Sequence, residues 1–325
     1  MKKIIIIGAG NIGSRHLQAL KSVKTPLKID VIDPSVKALK ISKERYDSIH
    51  PDISDHEISY SRDLNIQDDQ IDIAIISTTS KVRRGVIENL LEQKSVQFFI
   101  LEKILFQEEE DYYIIEKLLE NNNCKAWVNC TRRLVPFYKN ELKKLFNKKR
   151  LFFSVIASNW GLISNLIHYL DLIAYLIESE DFSIDTSYLD PNPIPSKREK
   201  FIDLTGILQV HFKNGSHGIF NSFSSGNLPG IIEIASDTDY CIINESEGRA
   251  RVLERNNQME WKEYEAKIMP TSQLTTNIVE DILETNTCKL TPYKNSMNMH
   301  LSFLNPILKF LNENSKLKYN QYPFT

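Results

Sequence analysis

Three glycines near the start of the chain have the spacing of a dinucleotide-binding turn. An apolar run at residues 2–7 leads directly into Gly-Ala-Gly-Asn-Ile-Gly at residues 8–13, and a helical pattern follows. In such a turn Gly8 permits the tight bend, Gly10 lets the backbone approach a pyrophosphate, and Gly13 allows the helix to pack closely on the strand. The helix N-terminus also offers N–H groups to phosphate oxygens. The spacing therefore predicts a nucleotide site.

An acidic residue ends the second predicted strand. Asp33 lies twenty residues after Gly13, where a carboxylate can accept hydrogen bonds from ribose hydroxyls and would repel a 2′-phosphate. This favours NAD(H) over NADP(H). The alternative is a similar sheet that binds another nucleotide or none, with Asp33 merely ending a strand. Arg15 and His16, one turn into the helix, are interpreted as solvent or interdomain contacts and not as catalytic groups.

The elements that position this turn follow from the alternation of short β-rich runs with longer amphipathic patterns. This alternation implies right-handed crossovers and a parallel sheet, and nearly continuous apolar strands suit a sheet covered by helices on both faces. We predict an α/β fold whose residues 1–128 form a doubly wound Rossmann domain. The predicted strands are 2–7, 28–33, 71–77, 96–101 and 125–129, and the predicted helices are 11–22, 82–93 and 108–120.

The pattern changes in the second part of the chain. Successive strand-like runs are joined by polar turns without intervening helices, which indicates an antiparallel sheet. We predict that residues 129–325 form an α+β domain with a mostly antiparallel open sheet for substrate binding and oligomerisation, its last helices able to pack on the first domain. The predicted helices are 136–146, 162–177, 274–283 and 296–311, and the predicted strands are 151–157, 204–212, 217–223, 231–235 and 240–244.

Composition narrows the classes of function. A chain of 325 residues with 42% hydrophobic and 25% charged residues can bury two cores, and its net charge of −2 gives no global positive field for nucleic acid or an anionic membrane. No early apolar run approaches bilayer length, so a cytoplasmic location is expected. The cysteines lack metal-binding spacing, so no metal is expected and packing thiols are favoured over a disulfide pair. They are Cys124, Cys130, Cys241 and Cys288.

Two further motifs stand at the ends of the predicted strands 71–77 and 96–101. Residues 77–80 are Ser-Thr-Thr-Ser, and residues 101–104 are Leu-Glu-Lys-Ile. With the N-terminal turn they resemble the Gfo/Idh/MocA family of sugar and cyclitol dehydrogenases, which has a Thr-Pro-rich loop and a Glu-Lys-Pro motif at these places. Residues 129–133 resemble the family's Asn-x-Arg segment, and residues 168–171 its His-x-x-Asp. The resemblance implies an NAD(P)-dependent dehydrogenase or reductase that acts on CH–OH groups.

The resemblance also implies roles for two residues. Lys103 would lie near the nicotinamide and the reacting hydroxyl, and His168 would be the acid/base. A lysine at the carboxyl end of a parallel strand faces the ligand crevice and could stabilise a developing alkoxide, while a histidine exchanges protons near neutral pH. We expect both to meet one hydroxyl of a substrate held between the domains. The alternatives are a surface lysine and a hydrogen-bonded core histidine.

The full set of predicted site residues combines the glycine-rich turn, the side-chain chemistry and the resemblance. Asp171, three residues after His168, could orient the imidazole or make a structural helix contact. The predicted cofactor-binding residues are Gly8, Gly10, Asn11, Ile12, Gly13, Asp33, Ser77, Thr78, Thr79, Glu102 and Lys103. The predicted substrate-binding residues are Arg132, Arg133, Asn165 and His168.

The chain departs from the family pattern at two positions. Ile104 replaces the proline of Glu-Lys-Pro, so a cis peptide there would cost about 2.5–4 kcal/mol. Ser164 stands where an acid commonly precedes the histidine by four residues, so the charge of that acid is missing. Asn165 could hydrogen-bond the substrate instead, or the site could use Tyr169.

Three arginines suggest an anionic substrate. Arg83 follows the Thr-rich loop, and Arg132 and Arg133 lie at the predicted domain junction. Guanidinium groups bind carboxylate or phosphate in a planar fork, which favours an acidic or nucleotide-linked sugar. The alternative for the junction arginines is interdomain salt bridges.

The expected activity is oxidoreduction of a sugar hydroxyl or ketone with NAD(H). Residues 158–161, residues 288–293 and His300 resemble a branch of the family associated with bacterial surface-polysaccharide and nonulosonic-acid biosynthesis, which favours an acidic, amino or nucleotide-linked sugar. The alternatives are a lyase, epimerase or glycosidase that uses NAD for a transient oxidation, and a non-catalytic NAD/sugar sensor. An exposed sheet face predicts a homodimer or homotetramer.

Overall fold

The apolar runs of the sequence become buried strands in two sheets. The structure, a computed structural model, describes residues 1–49, 55–64, 66–254 and 260–325. It divides into two compact units. Unit 1 comprises Met1–Thr131 and Met269–Lys294, and unit 2 comprises Arg132–Ile268 and Asn295–Thr325.

The first segment of unit 1 alternates strands and helices. Its elements are β1 (Lys2–Ile7), α1 (Asn11–Leu20), β2 (Leu27–Ile32), α2 (Val36–Asp47), β3 (Glu57–Ser61), β4 (Gln70–Ile76), α3 (Ser80–Gln93), β5 (Ser95–Leu101), α4 (Glu109–Asn121) and β6 (Lys125–Val128).

The first segment of unit 2 is rich in strands. It begins with a 3₁₀ turn (Thr131–Leu134) and a π-helical turn (Phe137–Leu142), and then contains α5 (Lys143–Phe146), β7 (Phe152–Ser158), α6 (Leu162–Ile177), β8 (Phe182–Leu189), β9 (Ile194–Pro195), β10 (Ile202–Asp203), β11 (Gly206–Phe212), β12 (His217–Phe223), β13 (Ile231–Ala235), β14 (Asp239–Asn244), β15 (Arg249–Glu254) and β16 (Trp261–Glu265). The chain ends with α7 (Thr271–Thr285), β17 (Thr291–Pro292) and α8 (Tyr293–Asn314).

The sheet of unit 1 has the order β17-β6-β5-β4-β1-β2-β3, and all its pairs are parallel except that of β17 with β6. This confirms the predicted doubly wound fold. Strand order reverses where β1 lies between β4 and β2, and in such sheets ligands bind outside the carboxyl ends of the strands at this point. The predicted elements agree with the observed ones to within a few residues, whereas α2 and β3 were not among them.

The sheet of unit 2 has the order β16-β15-β14-β13-β7-β12-β11-β8. Only the β7–β12 pair is parallel, so the predicted mostly antiparallel sheet is confirmed. The edge strands β8 and β16, and β15 beside β16, were not predicted. The single helix predicted over residues 136–146 is wrong in detail, because a π-helical turn beginning after Pro136 precedes the short α5.

Two sequence expectations concern features that the described residues lack. No disulfide joins the four cysteines, all of which lie in the described ranges. Among the helices that the structure describes, none combines the length and the apolar character needed to cross a bilayer.

One face of the unit 2 sheet exposes large apolar side chains. Phe152 and Ile156 of β7 are 39% and 38% exposed, and Phe223 of β12 is 48% exposed. The parallel register of β7 with β12 places all three on one face. We propose that this face binds a second copy of the chain, because symmetric association removes apolar area from water.

Replacing Ile156 by lysine tests this proposal. The charge would oppose burial of the sheet face, so sedimentation at micromolar concentration should show the parent as a dimer or tetramer and Ile156→Lys as a monomer. Tyr113→Lys is a matched control on α4, where Tyr113 is 44% exposed, and should keep the mass of the parent. A monomeric parent would contradict the proposal.

Candidate functional site

The glycine-rich turn holds α1 directly against the end of β1. A Cβ on Gly13 would lie 1.7 Å from the carbonyl oxygen of Gly8, so only hydrogen fits there. Gly8 has a φ of +98°, and a Cβ on it would lie 2.9 Å from the carbonyl carbon of Ser77. Both glycines are therefore required by close approach of backbone, as the sequence predicts.

Gly10 is different, because it faces open space. A Cβ built there meets nothing within 4 Å. Gly10 caps α1 without any side-chain hydrogen bond, which leaves the first N–H groups of this helix available to a ligand. The side chain of Asn11 accepts a long hydrogen bond of 3.4 Å from Arg45. Ile12 lies in the same first turn, so the turn can hold an anion on its backbone.

Asp33 lies at the end of β2 beside this turn. Its Oδ2 accepts a hydrogen bond of 2.7 Å from the N–H of Ala9, and its Oδ1 accepts one of 2.8 Å from the N–H of Ser35. A carboxylate has about four acceptor positions, so Asp33 can hold the turn and still accept from a ribose hydroxyl.

The carboxyl ends of β4 and β6 carry polar atoms that lack hydrogen-bond partners among the described residues. They are Ser77 Oγ, Thr78 Oγ1 and Asn129 Oδ1, all inaccessible to solvent. Buried polar atoms normally have partners. Backbone hydrogen bonds from Ser77 to β1 and from Asn129 to β5 place these ends at one edge of the sheet. Thr79 follows and caps α3. With the open turn at Gly10, this edge fits a polar cofactor such as a dinucleotide.

Glu102, at the end of β5, is held inside unit 1. It is only 9% exposed, and its Oε1 accepts hydrogen bonds from Nε2 of His16 at 3.0 Å and from Nδ2 of Asn129 at 2.5 Å. Burial alone would raise the pKa of Glu102. The net pKa is nevertheless lowered below the usual value of 4.5, because His16 and Asn129 hydrogen-bond to the carboxylate and because His16 and Lys103 act on it electrostatically. The carboxylate is therefore ionised at neutral pH.

Lys103 is half-buried, whereas its neighbours from Leu101 to Gln107 are buried. This makes Lys103 the side chain of its segment that can reach a ligand. The Lys103–Ile104 peptide bond is cis although residue 104 is not proline.

Arg83 cannot bind a substrate anion as the sequence suggested. Its side chain is completely buried. It donates to the carbonyl oxygens of Thr78, Ile104 and Leu105, the last at 2.7 Å. The sequence interpretation of Arg83 is wrong because the nearest acceptors are backbone carbonyls that only the fold brings together.

In unit 2, His168 and Asn165 lie on the less buried stripe of α6. They are half-buried, while nearly all other residues of this helix are buried, and their spacing of three places them on one face. His168 is therefore not enclosed in the core. Asn165 donates a hydrogen bond of 2.7 Å to the carbonyl oxygen of Trp160, so part of its hydrogen-bonding capacity is used near the start of the helix.

A buried carboxylate lies at the N-terminus of the same helix. Asp203 of β10 accepts from the N–H groups of Ile163 at 2.8 Å and Ser164 at 3.2 Å. Burial raises the pKa of Asp203, and hydrogen bonds from Ser164, Ile163 and Leu204 oppose this increase. A carboxyl group therefore lies beside Ser164, although the serine itself carries none.

Both junction arginines form ion pairs within unit 2. Nε and Nη2 of Arg132 bind the carboxylate of Glu245 at 3.1 and 2.7 Å, and Arg133 binds Asp171 in the same bidentate manner at 2.7 and 2.9 Å. Both arginines thus form salt bridges, but the predicted interdomain position of these bridges is wrong, because both partners lie inside unit 2. Asp171 is fully buried and makes this contact, as its structural alternative predicts.

Tyr169 lies beside Arg132. Its hydroxyl accepts a hydrogen bond of 3.0 Å from Nη2 of Arg132, whose guanidinium carbon lies 4.1 Å from the centre of the tyrosine ring. Burial, only partly offset by Arg132, raises the pKa of Tyr169 to about 12. The phenol is therefore protonated at neutral pH and can act as a donor but not as a base.

Solved structures of oxidoreductases share this architecture. No family model matches the sequence, and no curated protein matches it. A Gfo/Idh/MocA family oxidoreductase from Vibrio cholerae superposes with a TM-score of 0.67 and 17% identity over 95% of this chain and 99% of that one. The chain has the fold of these oxidoreductases.

Two further structures share this fold. One is the UDP-N-acetylglucosamine 3-dehydrogenase GnnA from Acidithiobacillus ferrooxidans, with a TM-score of 0.70 and 11% identity over 94% of this chain and 96% of that one. The other is an oxidoreductase from Agrobacterium radiobacter in complex with NAD⁺, L-tartaric acid and magnesium, with a TM-score of 0.67 and 15% identity over 93% and 94%. Among the described residues of this chain, no three His, Cys, Asp or Glu side chains form a group that could hold a metal.

The sequence interpretation missed His16. It is completely buried, and its Nδ1 lies 2.8 Å from Thr275 Oγ1 of α7. The spacing was the available signal, because His16 is three residues after Gly13 and so lies on the face of α1 that packs inward.

A pair of glycine substitutions separates cofactor binding from folding. Gly10→Ala adds a methyl group where the protein has space, so it should keep the melting temperature of the parent while weakening NAD(H) binding by about tenfold or more, equivalent to about 1.4 kcal/mol. Gly13→Ala, the matched control, should destabilise the fold by about 3 kcal/mol or more. Calorimetric titration and thermal unfolding measure both. Unchanged NAD(H) affinity in Gly10→Ala would place the cofactor elsewhere.

Proposed function

We propose that the chain is an NAD(H)-dependent oxidoreductase that acts on a hydroxyl or ketone of a sugar. The observation that carries this proposal is the edge of the unit 1 sheet, where an open helix N-terminus at Gly10, the carboxylate of Asp33 and the buried hydroxyls of Ser77 and Thr78 lie at the topological switch point. These hydroxyls, and Oδ1 of Asn129 after β6 on the same edge, have no hydrogen-bond partner among the residues that the structure describes. Backbone N–H groups would hold the pyrophosphate, and Asp33 a ribose diol. NAD supplies a hydride acceptor when bound.

Lys103 and His168 are the proposed catalytic residues. The ammonium group of Lys103 stabilises negative charge on the reacting oxygen, and the imidazole of His168 removes or returns the hydroxyl proton. Tyr169 is not the proposed base, because burial raises its pKa to about 12 and the phenol stays protonated at neutral pH.

The proposed substrate is an amino or nucleotide-linked sugar from surface-glycan biosynthesis. The shared fold with a UDP-N-acetylglucosamine 3-dehydrogenase and the sequence resemblance support this class. The arginines contribute little support for an acidic group, because Arg83 binds carbonyl oxygens and the junction pair binds carboxylates of unit 2.

Thermal unfolding in the presence of NAD tests the substrate class. A sugar that binds the folded chain raises its melting temperature by mass action, so UDP-N-acetylglucosamine should produce a larger shift than UDP alone or a neutral polyol. With the stabilising sugar, oxidoreduction predicts a net change in the reduced-nicotinamide absorption. Product without net redox change would indicate a transient oxidation, and binding without turnover would indicate a sensor; either result would refute the proposal.

The charge of Asp33 is predicted to set cofactor choice. Asp33→Asn keeps an acceptor for the N–H of Ala9 but removes the repulsion of a 2′-phosphate. The parent should bind NAD(H) at least about tenfold more tightly than NADP(H), and the variant should lose most of this preference. Equal affinities in the parent, or unchanged selectivity in the variant, would show that Asp33 only supports the turn.

Substitution of Lys103 and His168 tests their proposed catalytic roles. Lys103→Met and His168→Ala should keep NAD(H) affinity while each lowers turnover about 100-fold or more. Lys117→Met, at an exposed position of α4, is the control and should keep parental turnover. A His168→Ala protein with parental turnover would leave another group, or water, as the proton carrier.

A further inference from the structure

The residues on both sides of Lys103 are held by buried charged side chains. Glu102, before it, contacts His16 of α1. Ile104 and Leu105, after it, offer their carbonyl oxygens to Arg83 of α3. Lys103 therefore lies between two fixed points while its own side chain remains half-buried.

The contacts of His16 fix the first point. Thr275 Oγ1 lies 3.0 Å from the carbonyl oxygen of Thr271 and 2.8 Å from Nδ1 of His16, and Nε2 of His16 faces Glu102 Oε1. Because Glu102 is ionised, Nε2 carries a hydrogen and donates to it. Asn129 Nδ2 donates to the same oxygen. The carboxylate is thus held by donors from α1 and from the end of β6.

The contacts of Arg83 fix the second point. Its guanidinium group spans two loops, since it donates to Thr78 after β4 and to Ile104 and Leu105 after β5. A lysine at this position could not present a planar fork to three carbonyl oxygens. Burying a charge among carbonyls carries a desolvation cost, and the hydrogen bonds that offset this cost fix the segment of Lys103 against the loop of Ser77 and Thr78.

We propose that His16 and Arg83 are positioning residues that set the place of Lys103 at the edge of the sheet. They touch neither cofactor nor substrate in this role and act through the backbone on each side of the lysine. The inference rests on the proposed function of Lys103 and adds the residues that make its placement reproducible, as precise placement of a reacting group requires.

Amide hydrogen exchange of the full chain tests, without any substrate, whether His16 and Arg83 hold the backbone on each side of Lys103. Arg83→Ala, and Arg83→Lys if the alanine variant does not fold, should increase exchange of the amides at 103–106 at least about tenfold while the amides of β1 keep parental protection. His16→Phe should do the same for 101–104, and His16→Gln, which retains a donor, should restore protection. Parental exchange at 103–106 in the Arg83 variants would overturn the inference.

A double-mutant cycle on turnover separates positioning from general structural support. If Arg83 acts through Lys103, Arg83→Lys should lower kcat about tenfold or more in the parent and have little further effect in Lys103→Met, with KM for NAD nearly unchanged. Equal losses in both backgrounds would overturn the inference. Parental turnover in Lys103→Met would instead refute the proposed role of Lys103. The exchange measurement would still show whether His16 and Arg83 hold the backbone around residue 103.

The pH dependence distinguishes the part played by His16. The titratable groups acting on Glu102 are His16 from α1 and Lys103 from its own segment, while Asn129 and, through His16, Thr275 do not titrate. Because the pKa of Glu102 is lowered in the folded chain, its stabilising effect is complete above the usual value of 4.5 and is lost as pH falls through the folded value.

In His16→Phe the pKa of Glu102 should rise, because burial remains after the donor is lost. Turnover should then fall toward acid at a higher pH than in the parent. Glu102→Gln cannot ionise, so its turnover should lack this added dependence on pH. Its free energy of unfolding should be lower than that of the parent, and this difference should become smaller below pH 4.5. If the turnover of His16→Phe fell at the same acidic pH as that of the parent, the role given to His16 would be contradicted.

Discussion

The contact between Gly8 and Gly13 is the constraint on which the candidate site depends. Since a Cβ at position 13 would lie 1.7 Å from the Gly8 carbonyl oxygen, α1 must lie directly on the end of β1. That approach aims the N-terminus of α1 at the carboxyl edge of the sheet. It also brings His16, one turn later, within 3.0 Å of Glu102. One steric requirement therefore places both the anion-binding backbone and the partner of the buried carboxylate.

Buried charge completes this edge. Glu102 is largely buried and Arg83 is completely buried. Glu102, which precedes Lys103, is hydrogen-bonded to His16, and Arg83 donates to the carbonyl oxygen of Leu105, which follows it. In unit 2 the same principle applies to Arg133 and Asp171, whose bidentate pair fixes the start of that unit to α6. Breaking such pairs leaves an uncompensated buried charge, which explains why charged residues persist inside these units.

Elements whose pattern lies within their own residues could be predicted from the sequence. The turn at residues 8–13 has its own chemistry, and α6 and β12 were predicted with their observed bounds because an apolar helix or an alternating strand beside a turn is readable from its own residues. Edge strands such as β8 and β16 were missed because they show no regular apolar alternation; β8 is partly exposed and β16 is largely exposed. The π-helical turn after Pro136 has no such local signature.

The partners of charged side chains could not be predicted from the sequence. Arg83 suggested an anion site, but two of its acceptors are carbonyl oxygens about twenty residues later, at Ile104 and Leu105, which only the fold brings close. Arg132 finds Glu245 more than one hundred residues away. His16 was interpreted as a solvent or interdomain contact, and Glu102 reaches it only through the parallel sheet. A motif identifies a residue type at a position, whereas its partner is decided by topology.

The most direct test of hydride transfer to a sugar uses a deuterium label. Reduced nicotinamide deuterated at its transferable position is incubated with the chain and the keto form of the stabilising sugar, and the product is analysed by mass spectrometry. Direct transfer predicts one deuterium on the carbon that bears the new hydroxyl, in an amount equal to the cofactor oxidised. A reduced sugar without deuterium, or label that stays entirely on the cofactor, would contradict it.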